Sequence, residues 1–515
     1  MTDSERVDSQ PAEPRRVWRW RALAFDQLMI VVVLALIWAF VSVVPLPPND
    51  LWWHMAAGRE MIESGELLRT NQWAYGVAAD APYVYQSWLS EILLYGFWRL
   101  GGVPLLALAR ALAVVAGYGL IAWLAWRRTG NGRAVALALI LAALVGWENW
   151  TLRPQTLALV PGAAFAFVLA EVVAGRLGPR WLWLLPGIMV AWVNLHGSFA
   201  LGAVLLAMAW LAAGVRALRT PYVAGEPAWR AWKWLTICGA ATALALLANP
   251  LGSGIGGYVQ MMLGNQPLQR WFQEWQPPRN TLDLARTGFW FFTLLLLIAV
   301  LMAYAPRRPR LGDVLAYCAL AWLGIGGIRY AMWFGLLLCP FLAELLAQRM
   351  AAPVDRPAPR GLAALCLGPL ALLVVALLPW FVPRWRPSDV SSPSEPAAAL
   401  LAFQTPIGAV DWLERNPIAG RLWSELDASS YVIWRLPGRH VMADQRVELF
   451  PAAVWEDFIA INEGGARTLP LLDDWQISYM LLDPQYQPKL TQLMGGAPGW
   501  CERYRDPRSV IVARC

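Results

Sequence analysis

Charge is scarce in this chain of 515 residues: Asp, Glu, Lys and Arg make up 15% of it, against 58% hydrophobic residues. That balance excludes an ordinary soluble globular protein. Histidine is rarer still, with three in all, and the six cysteines form no CxxC pair and no Cys/His metal spacing. No Gly-rich phosphate loop stands between a strand and a helix, which argues against a soluble nucleotide-binding domain. No internal repeat is evident, which counts against transporters built from two related halves. The net charge of +7 comes from Arg in short loops between apolar runs. It reports membrane orientation, not nucleic-acid binding.

What is present is a succession of apolar runs, each near the roughly 20 residues that cross a bilayer. They fall at 27–47, 103–126, 133–150, 154–174, 179–196, 198–215, 231–249, 287–305, 311–328, 329–348 and 361–381. Arg15, Arg16, Arg19 and Arg21 precede the first run, and no small-residue cleavage site follows it, so an uncleaved first helix is expected. Segment 84–100 is shorter, with Ser87, Glu91 and Tyr95 as a polar stripe at i, i+4. If it does not cross, the basic loops 127–133, 176–180, 216–233, 307–310 and 349–360 share the side of the basic N-terminus. If it crosses, that pattern collapses. The sequence therefore predicts a juxtamembrane helix at 84–100, about eleven spans, and an outer C-terminus.

The expected fold is mainly α: a polytopic transmembrane helical bundle with a small C-terminal α/β domain. Residues 1–26 form a cytoplasmic tail, 27–382 the membrane domain with an outer first loop at 48–102, 383–398 a linker, and 399–515 an extracytoplasmic domain. In that last domain, strands are expected at 422–423, 440–443 and 477–482, with a helix near 451–462. A hairpin of 500–504 and 509–514 would set Cys501 opposite about Val512. That leaves a Cys501–Cys515 disulfide open but does not favour it.

The densest chemistry lies just past the first span, in Pro47-Pro48-Asn49-Asp50-Leu51-Trp52-Trp53-His54 and on to Gly58-Arg59-Glu60. Ionisable groups beside hydrocarbon are expensive and need a reason. Asp50 suits a general base or a metal-holding carboxylate, and equally a helix N-cap. His54 lies one helical turn on and could orient it. Glu91 and Glu148 are the other acidic candidates; Glu148 could share a divalent ion with Asp50 or simply pair with Arg153. Arg59, Arg153, His196 and Arg329 are candidate substrate contacts, the arginines at helix ends being suited to a lipid phosphate or to headgroups.

Three features carry a family resemblance. The first is an acidic residue beyond the first span (Asp50), followed by a long loop with helices at about 50–64 and 84–100. The second is Gln86-Ser87-Trp88-Leu89-Ser90-Glu91 together with Trp192-Val193-Asn194-Leu195-His196-Gly197. The third is a tail with Ser430-Tyr431-Val432-Ile433-Trp434 and Asp444-Gln445-Arg446-Val447-Glu448-Leu449. By these the chain resembles the GT-C superfamily of membrane glycosyltransferases, near the protein mannosyltransferase and aminoarabinose transferase group. Many members carry a paired acidic motif where this chain has Asn49-Asp50.

The resemblance implies an enzyme of the cell (inner) membrane that moves a sugar, with inversion, from a polyprenyl-phosphate donor to a glycan, lipid or protein acceptor. Asp50 would act on the acceptor, Arg153 or Arg329 would hold the departing phosphate, and Arg446 would bind substrate. No nucleic acid is expected as a partner. The cofactor is unknown; a divalent metal ion, if used, would rest on Asp50 and Glu148. The competing classes are a transporter or lipid flippase, and an inactive GT-C relative.

Overall fold

The computed structural model of the chain describes residues 25–223, 226–351, 360–386 and 397–515. The four N-terminal arginines and most of the expected linker at 383–398 lie outside the described residues. The architecture is mainly helical, with one small sheet near the C-terminus. A helix covers the core of each apolar run read from the sequence. Among the described residues, six helices are long and apolar enough to cross a membrane. These are Phe25–Val43 (α1), Trp88–Thr129 (α3), Gly132–Asn149, Pro154–Val173, Phe199–Leu218 and Ile328–Ala347. Leu36, Trp123, Leu296 and Trp322 are exposed on the bundle's flanks, where hydrocarbon can cover them.

α3 contains 42 residues, which as one straight helix would measure about 63 Å, twice the hydrocarbon thickness. It is broken at Gly101 and Gly102, where Gly102 has φ 60° and Pro104 follows. Only glycine takes that backbone angle cheaply. The part before the break packs on the loop helix Leu51–Ser64 (α2) and on the C-terminal domain, with Trp98 edge-on to Trp434 at 4.8 Å. The helix expected at 84–100 thus exists as the first arm of α3, and it lies beside the C-terminal domain. α3 ends at Gly130 (φ 63°), and the Asn131 side chain caps α4 (Gly132–Gly146) by accepting from Ala134 N at 3.1 Å.

α2 and α3 approach so closely that a Cβ on Gly58 would stand 2.1 Å from the Glu91 carbonyl oxygen. Gly58→Ala must therefore push α2 away and separate His54 from Glu91. A loss of about 1–3 kcal/mol is expected in thermal unfolding of the solubilised protein, the usual cost of overpacking. Gly96→Ala, with nothing within 4 Å of its Cβ, is the matched control and should leave stability unchanged.

The C-terminal sheet has strand order β1-β2-β4-β3, with β1 (Arg421–Ser424) parallel to β2 (Ile477–Leu482). β4 (Val510–Arg514) is antiparallel to both β2 and β3 (Trp500–Arg505). Tyr479, Leu481, Ile511 and Ala513 face the first loop and α2, while Met480, Leu482, Val510 and Val512 pack under Ala452–Asn462 and Pro488–Gly495. Both faces are covered over β2 and β4, which read as near-continuous apolar runs instead of alternating ones, while the edge strand β3 is polar and partly exposed. The strand expected at 440–443 is reduced to bridges. Val441 pairs with Ala74 on one side and Leu422 on the other, so the first loop extends the domain's own sheet.

The hairpin expectation requires correction, because Cys501 and Cys515 are joined by a disulfide, with Cα atoms 5.3 Å apart. A register shift between Glu502 and Tyr504 sets Cys501 opposite Ala513, not Val512. Cys515 then stands two residues on, on the same face.

Candidate active site

Asp50 stands at the N-cap position of α2, but its side chain makes no capping bond. It turns instead to Arg153, with Oδ2 3.4 Å from Nη1. Arg153 also holds Glu274 at 2.8 Å, and Glu274 reaches Arg329 at 3.4 Å. Four residues from distant parts of the chain thus form one line of alternating charge. Arg329 lies over the Trp275 ring at 4.0 Å, which fixes the plane of its guanidinium. The loop carrying Asp50 is itself held by the C-terminal domain: Ser430 Oγ donates to Asn49 O and accepts from Trp53 N.

These residues line a cavity of about 590 Å³. Its far wall comes from the C-terminal domain and adds Glu425, Asp427 and Glu448, with Trp53, Tyr85 and Trp455 as aromatic surfaces. An apolar cavity of about 280 Å³ adjoins it, walled by Leu201, Val204, Val259 and Leu263 among others. Tyr85, Tyr258, Met262, Trp275 and Arg329 belong to both. His196 lines the apolar one.

The carboxylates are tuned apart. Burial raises Asp50 above the ordinary aspartate range, and Arg153 only partly opposes it. Burial acts on Glu274 too, but Arg153 and Arg329 together hold it down to about 2. Burial thus prevails at Asp50, and the two guanidiniums prevail at Glu274. Desolvation also lifts Glu425 and Glu448 to about 7, and lifts Asp427 above its ordinary value with help from Glu425.

The other candidates read from the sequence are distributed as follows. His54 Nδ1 lies 3.1 Å from Glu91 Oε1, both buried, behind the cavity wall. His54 stacks on Trp53 and beside Tyr85, so the pair supports the aromatic side of the cavity. Burial first, then His196 and Arg153, keeps His54 well below the usual imidazole range, hence neutral. His196 Nδ1 accepts from Ser198 N at 3.0 Å.

Glu148 takes another direction. It accepts from Thr287 N at 2.7 Å and pairs with Arg286, not Arg153. Arg59 donates to Trp434 O and lies over that indole at 4.6 Å, away from the cavity. Arg446 is fully buried in a pair with Asp444 at 2.7 Å. The motifs Gln86–Glu91 and Trp192–Gly197 meet directly: Trp88 Nε1 donates to Asn194 Oδ1 at 2.6 Å and Ser90 Oγ to Leu195 O at 2.7 Å. Sequence reasoning missed Glu274, Glu425 and Asp427 as wall residues. Nothing in the spacing of the loop 250–286 singles out Glu274.

A divalent metal ion, if used, was expected to rest on Asp50 and Glu148. Among the described residues no three His, Cys, Asp or Glu side chains come together as a metal site. Asp50 faces guanidinium and Glu148 faces Arg286 and an amide, so the arrangement present does not fit a shared divalent ion.

No family model and no curated protein sequence matches this chain. Solved structures do. The aminoarabinose transferase ArnT from Cupriavidus metallidurans, bound to undecaprenyl phosphate, superimposes with a TM-score of 0.50 at 16% identity. The match covers 94% of this chain and 97% of that one. The oligosaccharyltransferase of Archaeoglobus fulgidus in its apo form gives 0.51 at 13% identity, covering 95% of this chain and 74% of that one. At such identities it is the path of the backbone that is shared, over nearly the whole length. The chain has the fold of the GT-C membrane glycosyltransferases.

Proposed function

We propose that this protein is an inverting membrane glycosyltransferase that takes a sugar from a polyprenyl-phosphate donor and passes it to an acceptor on the side of its C-terminal domain. The observation that carries the reading is the junction of the two cavities at Arg329. An apolar cavity suits a prenyl chain, an acidic and aromatic cavity suits a sugar, and a guanidinium stands where the phosphate joining them would lie. The acceptor's nucleophilic oxygen or nitrogen attacks the anomeric carbon as the bond to the phosphate oxygen breaks. Its proton passes to Asp50, and the departing polyprenyl phosphate carries the negative charge that Arg329 and Arg153 stabilise. The structure of ArnT with undecaprenyl phosphate supports a lipid-linked donor. The Cys501–Cys515 disulfide supports an oxidising, extracytoplasmic location for the C-terminal domain.

The test is transfer from a synthetic polyprenyl-phosphate sugar by the protein in nanodiscs, read as release of free polyprenyl phosphate. Wild type should turn over. Arg329→Met should lower turnover by roughly 10²-fold, the scale of a lost transition-state donor. Substrate translocation without any bond cleavage would replace this reading by a transport function.

A further inference from the structure

A third cavity, of about 490 Å³, shares no lining residue with the other two. It lies at the end of α1 that leads to Asp50, between Phe40, Val44, Trp147 and Trp150 on its apolar side and Arg110, Arg386 and Phe403 on the other. Phe40 is edge-on to Trp147 at 5.7 Å and to Trp150 at 6.0 Å, which makes a stiff aromatic wall. Phe40 and Val44 are also 42% and 38% exposed, so the cavity borders on surface that hydrocarbon would cover.

Its charge is one-sided. Arg110 is 2% exposed, yet donates only to main-chain carbonyls: Val41 O at 2.6 Å, Pro45 O at 3.3 Å, and Val44 O. Its Nε has no partner. Arg386 donates to Val43 O at 2.8 Å. Among the described residues neither guanidinium has a carboxylate within ion-pair distance. The one acid in the wall, Glu148, is committed to Thr287 N and Arg286. The end of α1 supplies only about half a negative charge, less than two cations need. A buried cation beside hydrocarbon without a counter-ion is costly, and the bilayer itself offers one.

We propose that this cavity is a binding site for an anionic phospholipid, with its phosphate on Arg110 and Arg386 and its proximal acyl chain along Phe40, Val44 and Trp147. The site is separate from the donor cavities and does not depend on the activity proposed above.

The test uses the full-length protein in nanodiscs doped with a phosphatidylglycerol carrying a diazirine near the head of one acyl chain. Photolysis and peptide mapping should place label on 147–151 and 402–404. An excess of undecaprenyl phosphate should clear label from 258–263, beside the apolar donor cavity, and leave these positions labelled. Arg386→Gln, at a half-buried residue tied to the fold by one hydrogen bond, should reduce labelling there at least ~10-fold, the scale of one lost charge-assisted contact. Arg110→Gln should do the same, and Arg386→Gln keeps the test decisive if the Arg110 variant does not fold. Equal labelling by the phosphatidylcholine analogue would overturn the proposal, since that headgroup carries no net charge. Competition by inorganic phosphate would assign the site to a free anion and also overturn it, as would absence of label from both segments.

Discussion

Replacing Asp50 by Asn is expected to lower sugar transfer by at least ~10²-fold, the usual scale for a lost general base. Folding should change little. Asn is isosteric, no capping bond is lost because Asp50 makes none, and Arg153 keeps its closer partner Glu274 at 2.8 Å. The pH dependence follows from the same environment. Burial raises the Asp50 carboxyl, so the proton stays on it at pH values where an exposed aspartate is already ionised. A protonated base cannot accept a proton, so turnover should fall as pH drops through that raised value, and the acid limb should sit above 3.8. Glu425 and Glu448 ionise at about 7 in the same cavity, so the profile alone does not assign the limb. The residual activity of Asp50→Asn should lose it, while Glu448→Gln should keep it. Undiminished transfer by Asp50→Asn would remove this residue from the chemistry.

Arg446→Met should be the most damaging substitution for stability, at about 3–5 kcal/mol, the cost of leaving a buried charge without its partner. Arg446 makes two bonds to Asp444, with Nε to Oδ1 at 2.9 Å and Nη2 to Oδ2 at 2.7 Å, and both side chains are fully buried. It also donates to Asn71 Oδ1 at 3.0 Å and lies between Trp73 at 4.7 Å and Tyr83 at 4.9 Å. Those three residues belong to the first loop, so this arginine fastens the loop to the C-terminal domain. Adding Asp444→Asn to Arg446→Met removes the stranded charge and should restore a large part of the loss. Thermal unfolding of wild type and these two variants measures it. If Arg446→Met instead unfolds like wild type and raises the donor KM, the substrate-binding role implied by the resemblance is the right one.

By itself the sequence determined the elements that depend on local composition. Apolar runs of bilayer length become helices wherever they occur, and a Gly101-Gly102-Val103-Pro104 sequence breaks one, because these effects act within a few residues. That Asp50 needs a polar partner was also legible, since a carboxylate beside hydrocarbon needs one wherever the chain leads. The partner was not. Arg153 chooses Glu274 and Asp50 over nearby Glu148, and Glu148 turns to Thr287, because packing decides which charges meet. The acidic wall of Glu425, Asp427 and Glu448 depends on a sheet that borrows residue Ala74 from a loop more than 300 positions away. The disulfide depended on a single register shift within its hairpin. Periodicity carries no long-range pairing, so only the tertiary structure could convert scattered charges into one cavity.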